Sequence, residues 1–147
     1  MFVGYRNNVA TYVAETLQEI KDLPCAKFDR IETVEFAEMF NNIIYTSEEA
    51  LNNAKSNAVR AVRNQYLETY VDPIVSNPLR WGEMTAEEQQ QYADYRRYLL
   101  DITDSAEFPN VQVMTLDEWK ISQEPEEVSA EHGKGEEPTE ATPEETI

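Results

Sequence analysis

The chain is poor in the residues on which much protein chemistry rests. Among 147 residues there is one cysteine, Cys25, and one histidine, His132. A lone cysteine closes no internal disulfide. With the histidine set in a polar C-terminal stretch, a Cys/His metal site, a Ser-His-Asp triad and a Cys-His pair are all disfavoured. Glycine is equally scarce. Gly4, Gly82, Gly133 and Gly135 are the whole supply, and none stands between a strand pattern and a helix pattern, so no phosphate-cradling loop can be assembled. No apolar run approaches the roughly 20 residues a spanning helix needs. The stretch from Met1 to Asn8 lacks the basic start, long apolar centre and small-residue cleavage site of an export signal, so the expected location is a cytoplasm.

Positive charge is also in short supply. Twelve Lys and Arg face 29 Asp and Glu, giving a formal net charge of −17 and a pI near 4.3. Binding to a nucleic-acid backbone or an anionic leaflet depends on cations displacing counterions, so neither nucleic acid nor membrane is expected as a partner. The same excess opposes self-association and keeps the chain dispersed, which suits a protein that handles a less soluble client. Composition thus points away from an enzyme, and no cofactor or metal is expected.

What the chain does contain is concentrated in its first 121 residues. All eight tyrosines, all five phenylalanines and both tryptophans lie there, with 20 acids against 11 bases. From Ser122 to Ile147 there are nine acids, one lysine, three prolines and no aromatic residue. Such a stretch buries too little apolar area to offset an ordering entropy of about 1–2 kcal/mol per residue, and it reads as a disordered acidic tail over 122–147. Residues 1–121 read as one domain, mostly α, of three to four helices.

The helices are placed by apolar spacing. Val9, Val13, Leu17 and Ile20 make one stripe and predict a helix from Arg6 to Asp22, ended by Leu23-Pro24. Two interleaved stripes, Val34, Met39, Ile43 and Phe36, Phe40, Ile44, predict a second over Ile31 to Tyr45. Thr46-Ser47-Glu48-Glu49 offers a hydroxyl cap and acids for the positive helix end, predicting a third from Ser47 to Tyr70. Asp72-Pro73 and Asn77-Pro78 make Val71 to Arg80 a connector, because a residue before proline avoids helical geometry. Thr85 with Glu88 forms a capping box that starts the clearest helix, from Thr85 to Ile102. On it Ala93, Arg96 and Leu100 form one line, and Tyr92, Tyr95, Leu99 and Ile102 another. Phe108-Pro109-Asn110 reads as a turn, Val111 to Met114 as a short extended piece, and Trp119 as the last anchor.

Candidate chemistry is thin. Glu15/Glu19 and Glu35/Glu38 fall one helical turn apart, yet without a histidine they read as a solvated acidic face, and Cys25 reads as an idle thiol in a loop beside Lys27. The aromatic stretch is more informative. Trp81, Tyr92, Tyr95, Arg96, Leu99, Phe108 and Trp119 are the candidate partner-binding residues, since tyrosine, tryptophan and arginine often dominate protein interfaces. Arg96 and Arg97 have two available roles, gripping a partner's carboxylates or pairing with Asp94 and Asp101.

The run from Trp81 to Asn110 resembles the tail assembly chaperone domain of tailed bacteriophages, also described as a tail fibre assembly protein. The likeness rests on Arg63, Trp81, Thr85 with Glu88, Tyr95-Arg96, Leu99, Asp101-Ile102 and Phe108-Pro109, in that order. It lies within residues 46–119 and departs from the family pattern around Thr69 to Pro73 and Val111 to Met114. The resemblance implies a non-enzymatic phage protein of the infected bacterium's cytoplasm that binds an apolar surface of a tail or tail-fibre component. The alternatives are a permanent structural component of the virion tail and an acidic mimic of nucleic acid that inhibits a host defence protein.

Overall fold

The computed structural model describes residues 1–24 and 27–124, and shows that the chain is a mixed α and β protein. Two small antiparallel sheets precede a helical half. This corrects the expectation of a mostly helical domain of three to four helices. Cys25, His132 and residues 125–147 of the stretch read as an acidic tail lie outside the described residues, whereas Ser122 and Gln123, read as the start of that tail, are helical.

The predicted first helix is instead a hairpin of β1 (Phe2–Arg6) and β2 (Val9–Ala14), followed by the short α1 (Leu17–Lys21). The predicted second helix is β3 (Arg30–Thr33), β4 (Glu38–Phe40) and β5 (Ile43–Tyr45). The spacing of four between Val9 and Val13 is common to a helix turn and to two strand repeats, so that stripe alone does not separate the two. The deciding signals are local. Asn7-Asn8 and Asn41-Asn42 all have positive φ, between 49° and 63°. Two consecutive left-handed residues make the mirror-image turn whose twist matches a hairpin, and asparagine tolerates that conformation better than most residues.

The larger sheet has strand order β2-β1-β3, and β4 and β5 form the other. Opposite Gly4 and Tyr5 the register jumps from Tyr12 to Ala10, leaving Thr11 as a bulged residue whose hydroxyl donates to the Gly4 carbonyl at 3.1 Å. A Cβ at Gly4 would meet the Phe28 ring at 2.6 Å, so only glycine lets that ring lie against β1. The Arg30 guanidinium holds the hairpin end: it sits 4.1 Å from the Tyr5 ring centre and donates to Asn8 and Glu32, each at 2.7 Å.

Helix α2 (Glu48–Tyr66) starts where expected, with the Ser47 hydroxyl accepting from the Ala50 amide. Its first half lies against β4 and β5, where Lys55 pairs with Glu38 at 2.9 Å, and its second half meets the helical core. A π-helical turn, Leu67–Val71, continues it and buries Val71 completely. The expected connector then proves to be two short helices, α3 (Asp72–Val75) and α4 (Pro78–Glu83). At Asn77 the rule against helix before proline yields a helix start: Asn77 is extended, and its side chain accepts from the Arg80 amide as a cap.

Helix α5 (Ala86–Asp101) opens on the expected Thr85/Glu88 box. A turn with a cis Phe108–Pro109 bond leads through an extended piece to α6 (Leu116–Gln123), which sequence reading missed although Thr115 and Glu118 form a second capping box. Tyr95, Leu99, Ile102, Val113, Leu116 and Trp119 join Val59 and Val71 in one buried cluster. No helix among the described residues is long and apolar enough to cross a membrane.

The asparagine turns are testable. Replacing Asn41 by valine forces a β-branched residue into the left-handed region and is expected to cost about 1–2 kcal/mol, whereas Asn41→Gly should leave stability nearly unchanged. Denaturant melts of the two variants measure the difference.

Candidate functional site

Helix α5 has two faces, and they separate the candidate residues. Its line of Tyr92, Tyr95, Leu99 and Ile102 turns into the core, with Tyr95 and Leu99 fully buried and Tyr92 half-buried. Trp119 of α6 is buried beside them, its ring centre 5.5 Å from that of Tyr95 and 6.4 Å from that of Tyr98. Tyr95 and Leu99 therefore present no free surface to a partner and Trp119 only 7% of its own, and their placement among the binding residues is corrected. An exposed aromatic patch was the expectation. The rings instead supply the apolar area that a small core needs.

Two of these tyrosines also do polar work. The Tyr95 hydroxyl donates to the Met114 carbonyl at 3.0 Å, and the Met114 amide donates to the Tyr98 hydroxyl at 3.0 Å. The extended piece after the Phe108-Pro109 turn is thus tied to α5 by side chains where a neighbouring strand would otherwise serve. Burial, followed by the neighbouring tyrosines Tyr98, Tyr66 and Tyr70 and then Glu118, raises the Tyr95 pKa well above its ordinary value of 10.0. At the head of α6, the Thr115 amide and hydroxyl hold the exposed Glu118 carboxyl below the usual carboxylate range.

Tyr92 and Phe108 lie on the margin of the core. The Lys120 ammonium is 5.7 Å from the Tyr92 ring centre, and the Arg60 guanidinium is 5.4 Å from that of Phe108. Both rings have their partners within the chain. The carboxylate pairs are likewise accounted for in part: Glu19 accepts from the Glu15 amide at the start of α1, and Glu38 holds Lys55.

The opposite line of α5 meets the residues that remain. Ala93, Arg96 and Leu100, with Arg97 and Asp101, face Trp81 of α4 and Val75 of α3 across an open groove of about 630 Å³. Trp81 and Arg96, fifteen positions apart and on different helices, are brought together here. Val75 and Leu100 are each 41% exposed, so the apolar floor is reachable from solvent. Neither Arg96 nor Arg97 pairs with Asp94 or Asp101. Asp94 accepts instead from Gln90 at 2.9 Å, and both guanidiniums lack a hydrogen-bonded or ionic partner among the described residues. Residue spacing places this line on α5, Leu100 included, without marking it as the exposed one, and neither Val75 nor Leu100 is among the candidate partner-binding residues.

No family model, curated protein or solved structure matches the chain.

The tyrosine pair yields a prediction with a definite sign. Tyr95→Phe leaves the Met114 carbonyl without its donor and is expected to destabilise the fold by about 1–2 kcal/mol at neutral pH. Because the folded chain keeps the Tyr95 proton at a pH where the unfolded chain releases it, this contribution is complete below pH 10.0 and is lost as pH rises further. Unfolding free energies should therefore fall between neutral and strongly alkaline pH less steeply for Tyr95→Phe than for the parent chain.

Proposed function

We propose that the chain is a bacteriophage tail assembly chaperone, a non-enzymatic protein that covers an apolar surface of a tail or tail-fibre component in the cytoplasm of the infected bacterium. The observation that carries this reading is the groove between α3, α4 and α5. Trp81 and Arg96, two residues of the family-like motif, flank an accessible apolar floor there. Amphipathic rings and guanidiniums beside exposed aliphatic side chains are the materials of a protein-binding site. The order of Trp81, Thr85 with Glu88, Tyr95-Arg96, Asp101-Ile102 and Phe108-Pro109 supplies the family likeness.

The proposed mechanism is steric cover. A client surface that would otherwise polymerise early is occupied by the groove and its rim until the assembling tail displaces it. A net charge of −17 disperses the complex and repels wrong contacts between copies. The core tyrosines contribute indirectly, because the packing of their line sets the direction of the Arg96 line.

Affinity capture with the full chain from phage-infected cells should recover a tail or tail-fibre protein, and Trp81→Ala should reduce that recovery at least tenfold. Mass spectrometry of washed virions should find the chain absent. Stoichiometric presence in particles would make it a structural component instead, and recovery of the chain alone under gentle conditions would remove the chaperone reading.

A further inference from the structure

Resting on that reading, we infer that the segment the groove receives is acidic and apolar: one or two aliphatic or aromatic side chains with a carboxylate beside them. The argument begins with how the scarce cations are used. Arg30 is fixed by Glu32, Asn8 and the Tyr5 ring, Lys55 by Glu38, and Arg6 by the Lys27 carbonyl. Arg60 and Lys120 lie over aromatic rings, and Arg63 donates to Asn64. These cations hold structure.

Arg96 and Arg97 do not; Lys21, Lys27 and Arg80 likewise have no side-chain partner among the described residues, but none of those three lines the groove. Arg96 and Arg97 stand side by side on the exposed face of α5, with Asp94 three residues before Arg97 and Asp101 four residues after it, spacings that allow an ion pair along a helix. Neither pair forms, and among the described residues the two planar guanidiniums have no partner at the rim of an apolar groove. Against a net charge of −17, the groove's own charged residues, Arg96, Arg97 and Asp101, carry an excess of one positive charge. The local sign is opposite to that of the molecule.

The guanidinium fork matches a carboxylate in two parallel hydrogen bonds, which an ammonium cannot reproduce. Phosphate has the same geometry, but a nucleic acid would bring a polyanion against the acidic remainder of the surface, so a short carboxylate-bearing peptide is the better fit. The floor of Val75, Ala93, Trp81 and Leu100 supplies the second half of the recognition. A volume of about 630 Å³ accommodates a few side chains. A basic segment would be repelled at this rim, although the acidic surface elsewhere attracts it.

Fluorescence anisotropy with the full chain tests this using three labelled peptides of equal length. One alternates glutamate with leucine and tryptophan, one replaces each glutamate by lysine, and one keeps glutamate but replaces the apolar residues by serine. The first is expected to bind at least tenfold more tightly than the third. Binding of the second is expected to be unchanged by Arg96→Glu with Arg97→Glu; a loss of the second peptide's binding in that pair would overturn the inference. For the first peptide, Arg96→Glu with Arg97→Glu should reduce binding tenfold or more. Arg96→Lys with Arg97→Lys should fall between that variant and the parent. Both arginines are exposed, so the folded state should survive, as circular dichroism would verify.

Equal affinity for the first and third peptides, or no effect of the glutamate pair, overturns the inference. So does self-association that the glutamate pair abolishes, because the groove would then belong to a second copy. If a tail component is captured equally by the parent chain and the glutamate pair, the inference fails while the chaperone reading stands. If peptide selectivity is found but no tail component is captured, the groove's chemistry stands without that function.

Discussion

The hold of two tyrosine hydroxyls on the peptide groups of Met114 organises the helical half of the molecule. Tyr95 donates to the carbonyl and Tyr98 accepts from the amide, each at 3.0 Å, so a single residue of the extended piece has both its backbone groups satisfied by α5. Leaving those groups unpaired beside the core would cost free energy comparable to the hydrogen bonds themselves. The piece is pinned at the point where α6 begins, and α6 then brings Trp119 against both tyrosines. One pair of side chains thereby closes the core and sets where the last described helix starts.

Much of this half was legible because its signals are local and unambiguous. Thr85 with Glu88, Ser47 before two glutamates and the four-residue line from Tyr92 to Ile102 each have one structural meaning, and each appears in the fold. Thr115 with Glu118 carries the same signal, but the helix it opens spans only Leu116–Gln123 and shows little periodicity to support it. The N-terminal third misled for a different reason. Val9 and Val13 satisfy strand and helix periods alike, and the asparagine pairs that decide between them act through backbone φ, a property no apolar count records. The valine, isoleucine and threonine content of residues 1–45 is a second signal for strands, in competition with the helix-like spacing.

The site was legible as a composition but not as a surface. A run rich in tyrosine, tryptophan and arginine is compatible with a core or an interface, and the decision rests on how much apolar area the rest of the chain supplies. Here the strands and α1 keep Val3, Ala14, Ile20 and Ile44 outside the main buried cluster, so the helical half must build its own interior from Tyr95, Leu99 and Trp119. The aromatic residues were drawn inward by that need. What remained for the surface was the other line of α5, whose mixture of alanine, arginine and leucine is neither polar enough to be a plain solvated face nor apolar enough to be core.

Core and groove are therefore one design problem. Successive residues on an α-helix are about 100° apart, so fixing the Tyr95 hydroxyl on Met114 fixes the direction of Arg96 beside it and of Leu100 one turn later. Helix α4 then needs only to hold Trp81 opposite, and it does so from a capped start at Asn77, with Gln89 of α5 donating to the Trp81 carbonyl at 2.7 Å. The groove's walls are thus joined by a direct hydrogen bond between α4 and α5. A loss of packing at Leu99 would reach the groove by turning the helix that carries its guanidiniums, without touching any residue that lines it. Stability and recognition share the same sixteen-residue helix, and neither face can be altered freely without consequence for the other.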